Sequence, residues 1–161
     1  MASMFDFICN LFNEEYFYLD LPQIRADDSS NSRALPMHQE IHGQLSNKVV
    51  TLWAPLTKVS IKNGTMGVIP NSHKLGKIKH VFYKTKNNKY HGVTPQFLKK
   101  KRVKYFKLKA GDVVLFHPFL VHGTGKNFTK KIRWTYVVRL NALKGINYLK
   151  FSKNTLRQKQ N

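Results

Sequence analysis

The spacing of apolar residues predicts one helix near the start of the chain. Apolar side chains recur there at three- and four-residue intervals, at Phe5, Ile8, Cys9 and Phe12. Ser3, followed three residues later by Asp6, resembles a capping box, a pattern that begins many helices. We therefore predict a short helix over residues 3–15.

From Tyr16 onward the pattern changes to the alternation and short apolar runs that are typical of strands. Turn-forming sequences such as IKNG (61–64) and AGD (110–112) separate these runs. The predicted strands are 16–25, 49–56, 65–70, 103–109, 113–122 and 132–140. Many short strands and little helix favour a mainly β sandwich or a barrel-like jelly roll, the class that includes the cupins.

Two segments carry neither pattern. Residues 74–102 hold ten Lys and Arg and no acid, and we predict a mobile basic insertion with one short helix there. The polar tail, residues 145–161, is expected to fray. A length of 161 residues suits one domain with a single core, so residues 1–161 are expected to form one unit.

Composition limits the class of protein. The hydrophobic fraction of 42% is typical of a folded chain, and the lone Cys9 excludes a disulfide framework and a thiolate zinc site. The N-terminus lacks the basic region of a signal peptide. No apolar run approaches the roughly 18 residues of a membrane span. We expect a soluble, cytoplasmic protein.

The net charge of +20, from 28 Lys and Arg against 8 Asp and Glu, leaves several partners open. Nucleic acid, an anionic membrane surface and an anionic substrate all fit such a charge, and so does a lysine-rich composition without function. Most of the basic residues are spread along residues 48–159, and no recognised nucleic-acid motif accompanies them. An anionic small molecule is therefore preferred to nucleic acid.

The few acids make Glu40 unusual. Seven of the eight lie within the first forty residues, and only Asp112 follows Glu40. In an extended segment His38 and Glu40 would lie on the same face, about 7 Å apart along the strand. An imidazole and a carboxylate on one face form part of a 2-His-1-carboxylate metal site, although H-x-[DE] is also common in polar loops.

A metal site of this kind needs a second histidine. His122 is well placed, because it ends an apolar run and meets a glycine-rich turn. His42 would make a strictly local site, and His117 is expected in the core. The other candidates lie in a polar turn or in the basic insertion: His73, His80 and His91.

The last predicted strand adds a candidate for binding an anion. Alternation places Arg133, Thr135, Val137 and Arg139 on one face. An inward arginine is costly unless it meets an anion, and a guanidinium can hold a carboxylate with two hydrogen bonds. On the strand over residues 49–56, Thr51 and Trp53 share a face and could complete a pocket for a small dicarboxylate.

The chain resembles the phytanoyl-CoA dioxygenase (PhyH) family of Fe(II)/2-oxoglutarate oxygenases. Four blocks agree in order and spacing: LPMHQE (35–40), VVTLWAPLTKVSIKNGTMGVIPNSHKLG (49–76), AGDVVLF (110–116) and LVHGTGKNFTKKIRW (120–134). The resemblance implies a double-stranded β-helix fold that uses Fe(II), 2-oxoglutarate and O2. It also implies a small-molecule substrate, and the LP-x-HQ-[DE] and W-x-PL patterns are similar to those of members associated with sugar and surface-polysaccharide biosynthesis.

The resemblance assigns roles to individual residues. It implies that iron is ligated by His38, Glu40 and His122, and that Arg133 holds the distal carboxylate of 2-oxoglutarate. Thr51 and Trp53 would line the 2-oxoglutarate pocket, with Asn127 and Arg25 near the site. The basic insertion would border the substrate mouth and attract an anion such as a phosphorylated sugar, a nucleotide-linked sugar or an acyl thioester.

The chain departs from the family pattern in three places. Glu40 stands where Asp is usual, PNSH replaces the usual PGSH turn, and only 37 residues precede His38. The short leading segment puts the substrate lid in question. Two alternatives to an oxygenase therefore stay open, a cupin-like metal- or ligand-binding module without catalysis and a basic nucleic-acid-binding protein.

Overall fold

The computed structural model describes residues 3–30, 34–40, 46, 48–84 and 89–144. The helices are α1 (Met4–Phe12) and α2 (Pro95–Leu98). The strands in chain order are β1 (Phe17–Asp27), β2 (Leu35–His38), β3 (Val49–Pro55), β4 (Met66–Val68), β5 (His80–Lys84), β6 (Lys89–Val93), β7 (Lys104–Tyr105), β8 (Val114–Phe116), β9 (His122–Thr124) and β10 (Arg133–Ala142).

Helix α1 begins at the predicted capping box. The Asp6 backbone N–H donates to the Ser3 hydroxyl at 3.1 Å, and the Ser3 N–H donates to the Asp6 carboxylate at 2.7 Å. The helix ends earlier than predicted, because Asn13 takes a left-handed conformation at φ 49°. Ile8 is fully buried against the outer face of a sheet, where it packs with Val50, Leu52, Val138 and Leu140.

The described strands form two four-stranded sheets and a separate hairpin. The first sheet has the order β1-β10-β3-β8, and the second has the order β2-β9-β4-β7. Side chains from both sheets meet in a shared core that contains Trp53, Met66, Val68 and Phe116. The prediction of a mainly β, cupin-like jelly roll is thus confirmed.

The basic segment over residues 74–102 is more regular than predicted. β5 and β6 pair antiparallel as a hairpin, and the expected short helix is α2. Residues 85–88, between the two strands, lie outside the described residues. The sequence did not predict the hairpin because its lysines suggested a solvated loop. In the structure Lys84 and Lys89 are exposed positions on strands whose neighbouring residues are half-buried.

The apolar run 113–122 is divided in the structure, contrary to the prediction of one strand. β8 ends at Phe116, and β9 begins at His122. Pro118 lies between them and has no N–H for a strand ladder. The Leu120 N–H instead donates to the His117 carbonyl at 2.8 Å in a turn. His122 therefore begins a strand rather than ending one.

In the described part of the chain, no helix is long and apolar enough to cross a membrane. The cytoplasmic location stays a prediction. The tail over residues 145–161, which was expected to fray, lies outside the described residues, as does His42.

Candidate metal centre

Two neighbouring strands of the second sheet bring His38, Glu40 and His122 together. His38 ends β2 and is the register partner of His122, the first residue of β9. Glu40 lies two residues beyond His38, and its Oε1 is 3.7 Å from Nε2 of His38 and 3.3 Å from Nε2 of His122. The potential ligand atoms of the three residues all lie within 4.8 Å of one another.

Both imidazoles are oriented by backbone carbonyls. Nδ1 of His38 lies 2.8 Å from the Pro36 carbonyl oxygen, and Nδ1 of His122 lies 2.9 Å from that of Leu120. A carbonyl only accepts hydrogen bonds, so Nδ1 carries the proton in each ring. Each Nε2 therefore presents a lone pair toward Glu40, which is how metal-binding histidines are usually held.

The donor set fits a divalent cation. Two nitrogen lone pairs and a carboxylate oxygen converge on one point, an arrangement that is repulsive unless a cation or proton lies between them. Two imidazoles and one carboxylate are the ligands of the non-haem Fe(II) oxygenase site. Burial and the charge of His38 lower the pKa of His122, which favours the neutral imidazole that a metal requires.

Glu40 is held in place on two sides. Its backbone N–H donates to the Pro118 carbonyl at 2.9 Å. Nε of Arg139 donates to its Oε2 at 2.7 Å, and Nη2 of the same arginine also bonds that oxygen. Burial alone would raise the pKa of Glu40, but hydrogen bonds from His122 and His38 when these rings are protonated, together with the charge of Arg139, outweigh burial and hold that pKa well below its usual range.

Gln39, the residue between His38 and Glu40, fixes the segment that follows β2. Its side-chain amide donates to the carbonyls of Gly76 at 2.8 Å and Phe119 at 2.7 Å, and its Oε1 accepts from the Ile78 N–H at 2.8 Å. Its backbone N–H donates to Nε2 of His80 at 3.0 Å. The residue is only 2% exposed. Residues 38–40, called the metal loop below, are thus hydrogen-bonded to the segments that precede β5 and β9.

The three side chains open into a cavity of about 280 Å³ between the two sheets. Trp53, Met66 and Phe116 form apolar parts of its wall. Its polar wall includes basic groups from both sides, and among the described residues that line the cavity Glu40 is the only acid. The basic residues on this wall, apart from the ligand histidines, are Arg25, Lys89, His91 and Arg139.

The other predicted pocket residues have varied positions. Trp53 and Arg25 line the cavity. Thr51 is fully buried on β3 opposite Arg139, and it is not among the lining residues. Asn127 is also buried outside the lining, where its amide donates to the carbonyls of Asp27 and Lys131, both at 2.8 Å. Asn127 therefore supports the loop between β9 and β10.

Arg133 lies beside the cavity rather than in its described lining. Its Nη2 donates to Oδ2 of Asp27 at 2.6 Å, and the arginine is 1% exposed. Its Nη1 packs so closely on the left-handed Gly64 (φ 81°) that a Cβ at that glycine would lie 2.9 Å away. Within the described residues, Nε and Nη1 of Arg133 have no hydrogen-bond partner. The assignment of Arg133 to 2-oxoglutarate stays a prediction.

The remaining histidines do not join this cluster within the described part of the chain. His73 and His117 form a ring pair with centroids 5.8 Å apart, and His117 is exposed, so its expected place in the core was wrong. His80 and His91 form another ring pair at 6.4 Å. His80 supports Gln39, as described above, and His91 lines the cavity. Among the described residues, a group of three potential metal ligands is therefore seen only for His38, Glu40 and His122.

The sequence-based site omitted Arg139 and Gln39. The signal for Arg139 was its position on the inward face of β10, six residues after Arg133. No local pattern could show that it meets Glu40, which is 99 residues earlier in the chain. The signal for Gln39 was only its place between His38 and Glu40.

The jelly roll and its histidine–glutamate–histidine cluster are the fold and the donor set that are typical of non-haem metal oxygenases. Residues 15–135 match the model of a family described as phytanoyl-CoA dioxygenase (PhyH). The chain belongs to this family, which confirms the resemblance drawn from its four sequence blocks.

Named relatives support the assignment. The chain is 32% identical over 113 residues to "Phytanoyl-CoA dioxygenase, peroxisomal" from Homo sapiens, which covers 66% of this chain and 33% of the relative. It is 31% identical over 104 residues to "Probable phytanoyl-CoA dioxygenase" from Caenorhabditis elegans, covering 61% of this chain and 33% of that protein. The chain thus spans about a third of the length of these relatives.

Solved structures share the fold. EctD from S. alaskensis, crystallised with 2-oxoglutarate and 5-hydroxyectoine, gives a TM-score of 0.67 at 19% identity, covering 87% of this chain and 49% of EctD. The carbocyclase SnoK from nogalamycin biosynthesis, described as non-heme and alpha-ketoglutarate-dependent, gives 0.64 at 20% identity, covering 86% and 54%. At these identities the likeness concerns the fold alone.

Proposed function

We propose that this chain is an Fe(II)- and 2-oxoglutarate-dependent dioxygenase that hydroxylates a small anionic substrate. One observation carries the proposal: Oε1 of Glu40 and the Nε2 atoms of His38 and His122 converge at the edge of a cavity. Family membership and the solved structures with the same fold support it.

The chain's own residues would bind and orient the reactants. His38, Glu40 and His122 would occupy one side of an iron ion and leave its other positions facing the cavity. Bound iron and 2-oxoglutarate would supply O2-dependent oxidation of a C–H bond, with release of succinate and CO2. Trp53, Met66 and Phe116 exclude water from the wall beside the ligands.

The cosubstrate would bind along the inward faces of β1 and β10. Arg25 lies opposite Thr135, and Arg133 lies opposite Asp27 at the adjacent pair of inward positions. A buried guanidinium with unpartnered Nε and Nη1 is suited to a carboxylate, which supports Arg133 as the group that holds the distal end of 2-oxoglutarate. Arg25, already on the cavity wall, would be a second contact.

The charge of the cavity supports an anionic substrate. Lys89 and His91 of the hairpin face the same cavity as Arg25 and Arg139, and Glu40 is the only acid among its described lining residues. Basic walls of this kind concentrate anions. A sugar phosphate, a nucleotide-linked sugar or an acyl thioester such as that implied by the relatives' names fits this charge.

The Arg133–Asp27 pair favours a second candidate, a metal-binding module that does not consume 2-oxoglutarate. Asp27 already provides Arg133 with a buried counter-charge, so that arginine does not require a cosubstrate for charge balance.

Anaerobic titration separates the two candidates. Fe(II) is added to the protein and then 2-oxoglutarate, and the visible spectrum is followed for the weak charge-transfer band of a chelated keto acid. A band that is absent from His122→Ala, together with succinate release in air, supports the oxygenase. Metal binding without the band and without succinate supports the binding module.

A further inference from the structure

We infer that Arg139 is a positioning residue that holds Oε2 of Glu40 and so reserves Oε1 for the metal. The inference rests on the proposed metal site and adds a residue that neither the sequence blocks nor the site's ligand set contains. Arg139 contacts the candidate ligand set at Oε2 of Glu40, not at the Oε1 atom that faces the two histidines.

The two oxygens of Glu40 have separate surroundings. Oε2 accepts from Nε and Nη2 of Arg139, the Nε contact measuring 2.7 Å. Oε1 faces the two imidazoles, at 3.3 Å from His122 and 3.7 Å from His38. An arginine that occupies one oxygen leaves a single oxygen to coordinate an ion, so the carboxylate would bind through one atom.

Arg139 is itself fixed by the first sheet. It lies in β10 between Asp20 of β1 and Thr51 of β3, its register partners on either side. Its Nη1 is 3.8 Å from Oδ2 of Asp20, which is 5% exposed. The guanidinium therefore reaches across the interior from one sheet to the ligand carried by the other.

This contact gives a reason why a glutamate functions at position 40. Relative to aspartate, glutamate adds one rotatable bond, and fixing a longer side chain costs more conformational entropy. The Arg139 contact, with the Glu40 N–H bound to the Pro118 carbonyl, restrains the longer side chain before an ion arrives. An aspartate here would be too short to reach both the ion and the guanidinium.

Lysine and glutamine variants of Arg139 distinguish positioning from simple charge. Lysine keeps the positive charge but lacks the planar fork that holds Oε2 with two N–H groups. If Arg139 served only to neutralise a buried Glu40, Arg139→Lys would preserve the site. If its charge mainly repelled the ion, Arg139→Gln would bind metal more tightly.

The test measures Co(II) affinity anaerobically, in the protein without cosubstrate, for wild type, Arg139→Gln and Arg139→Lys. Lys79→Gln is the control, since it removes one exposed positive charge just before β5 and is not among the residues that line the cavity. We expect both Arg139 variants to bind Co(II) about 10- to 100-fold more weakly, as for other groups that orient metal ligands. The Lys79→Gln affinity should stay near that of wild type.

Glu40→Asp completes a double-mutant cycle with Arg139→Gln. We expect Glu40→Asp to weaken Co(II) binding strongly in the wild-type background and much less when Arg139 is already Gln. Circular dichroism and a thermal melt check that each variant is folded. If Arg139→Gln does not fold, Arg139→Lys replaces it in the cycle.

The positioning role would be overturned by additive losses in the cycle, by an unchanged Co(II) affinity of Arg139→Lys, or by tighter Co(II) binding to Arg139→Gln. None of these results would affect the proposed function, as long as the wild-type protein binds metal. A wild-type protein that binds neither Co(II) nor Fe(II) would overturn both.

Discussion

The backbone N–H of Gln39 donates to Nε2 of His80 at 3.0 Å, and this bond joins the metal loop to the first residue of the β5–β6 hairpin. Nδ1 of His80 lies 2.7 Å from the Ile78 carbonyl, so its Nε2 is the unprotonated nitrogen. The hairpin in turn contributes Lys89, Tyr90 and His91 to the cavity wall. The His80 imidazole therefore joins the segment that holds His38 and Glu40 to the hairpin that forms part of the cavity wall.

We expect His80→Ala to weaken both the fold and the metal centre. The Gln39 N–H would lose its acceptor in a nearly buried setting, which costs about 1–3 kcal/mol of unfolding free energy. Urea denaturation and Co(II) affinity measure the two effects, and the exposed neighbour Lys79→Ala is the control. Metal affinity equal to that of Lys79→Ala would show that the bond does not orient the ligands.

We expect Arg133→Ala to raise the 2-oxoglutarate requirement by orders of magnitude while Co(II) affinity stays near wild type. It also removes the counter-charge of the buried Asp27, which costs about 3–5 kcal/mol of stability. Adding Asp27→Ala should recover part of that stability without recovering 2-oxoglutarate binding. Loss of metal binding in a folded Arg133→Ala protein would count against its assignment to the cosubstrate.

His122→Ala is expected to abolish tight Co(II) binding and substrate-stimulated succinate release, because it removes one of three ligand atoms. His117→Ala is the matched control, since that exposed imidazole belongs to the same segment and contacts the Phe119 N–H instead. Metal titration followed by succinate detection checks the pair. Unchanged turnover in His122→Ala would remove that residue from the site.

We expect 2-oxoglutarate to bind more weakly as the NaCl concentration rises from low to physiological levels. The cosubstrate is a dianion, and the cavity carries Arg25, Lys89 and Arg139 with Glu40 as the only described acid on its wall. Lys89→Gln should flatten this dependence. The measurement is the apparent Kd from the visible titration, and affinity that does not change with salt would exclude electrostatic attraction by the wall.

Local periodicity was sufficient to predict the jelly roll and the closeness of His38 to Glu40. Alternation in VVTLWAPL gave β3, and the two-residue spacing of His38 and Glu40 placed both on one side of a chain that is extended at that point. These inferences rely on contacts close in sequence. His122 was preferred from its place between an apolar run and a glycine-rich turn, and strand pairing brings it opposite His38.

What the sequence did not predict depends on distant contacts. Arg139 meets Glu40 only because β10 crosses the molecule opposite β2, and the same strand places Arg133 against Asp27. The division of the 113–122 run follows from Pro118, whose effect on an apolar segment depends on the turn it enters. Hydrophobic pattern records which face is buried, but it does not record which polar groups meet inside.

The cavity lies between two sheets that contribute different residues to its wall. The candidate metal ligands lie on or just after β2 and β9, whereas Arg25 and Arg139 lie on β1 and β10. We therefore expect substitutions at inward positions of β1, such as Gln23 and Arg25, to change which molecule fits the cavity without moving the candidate ligands. For the proposed oxygenase, a library confined to that strand would offer a route to new substrate preferences.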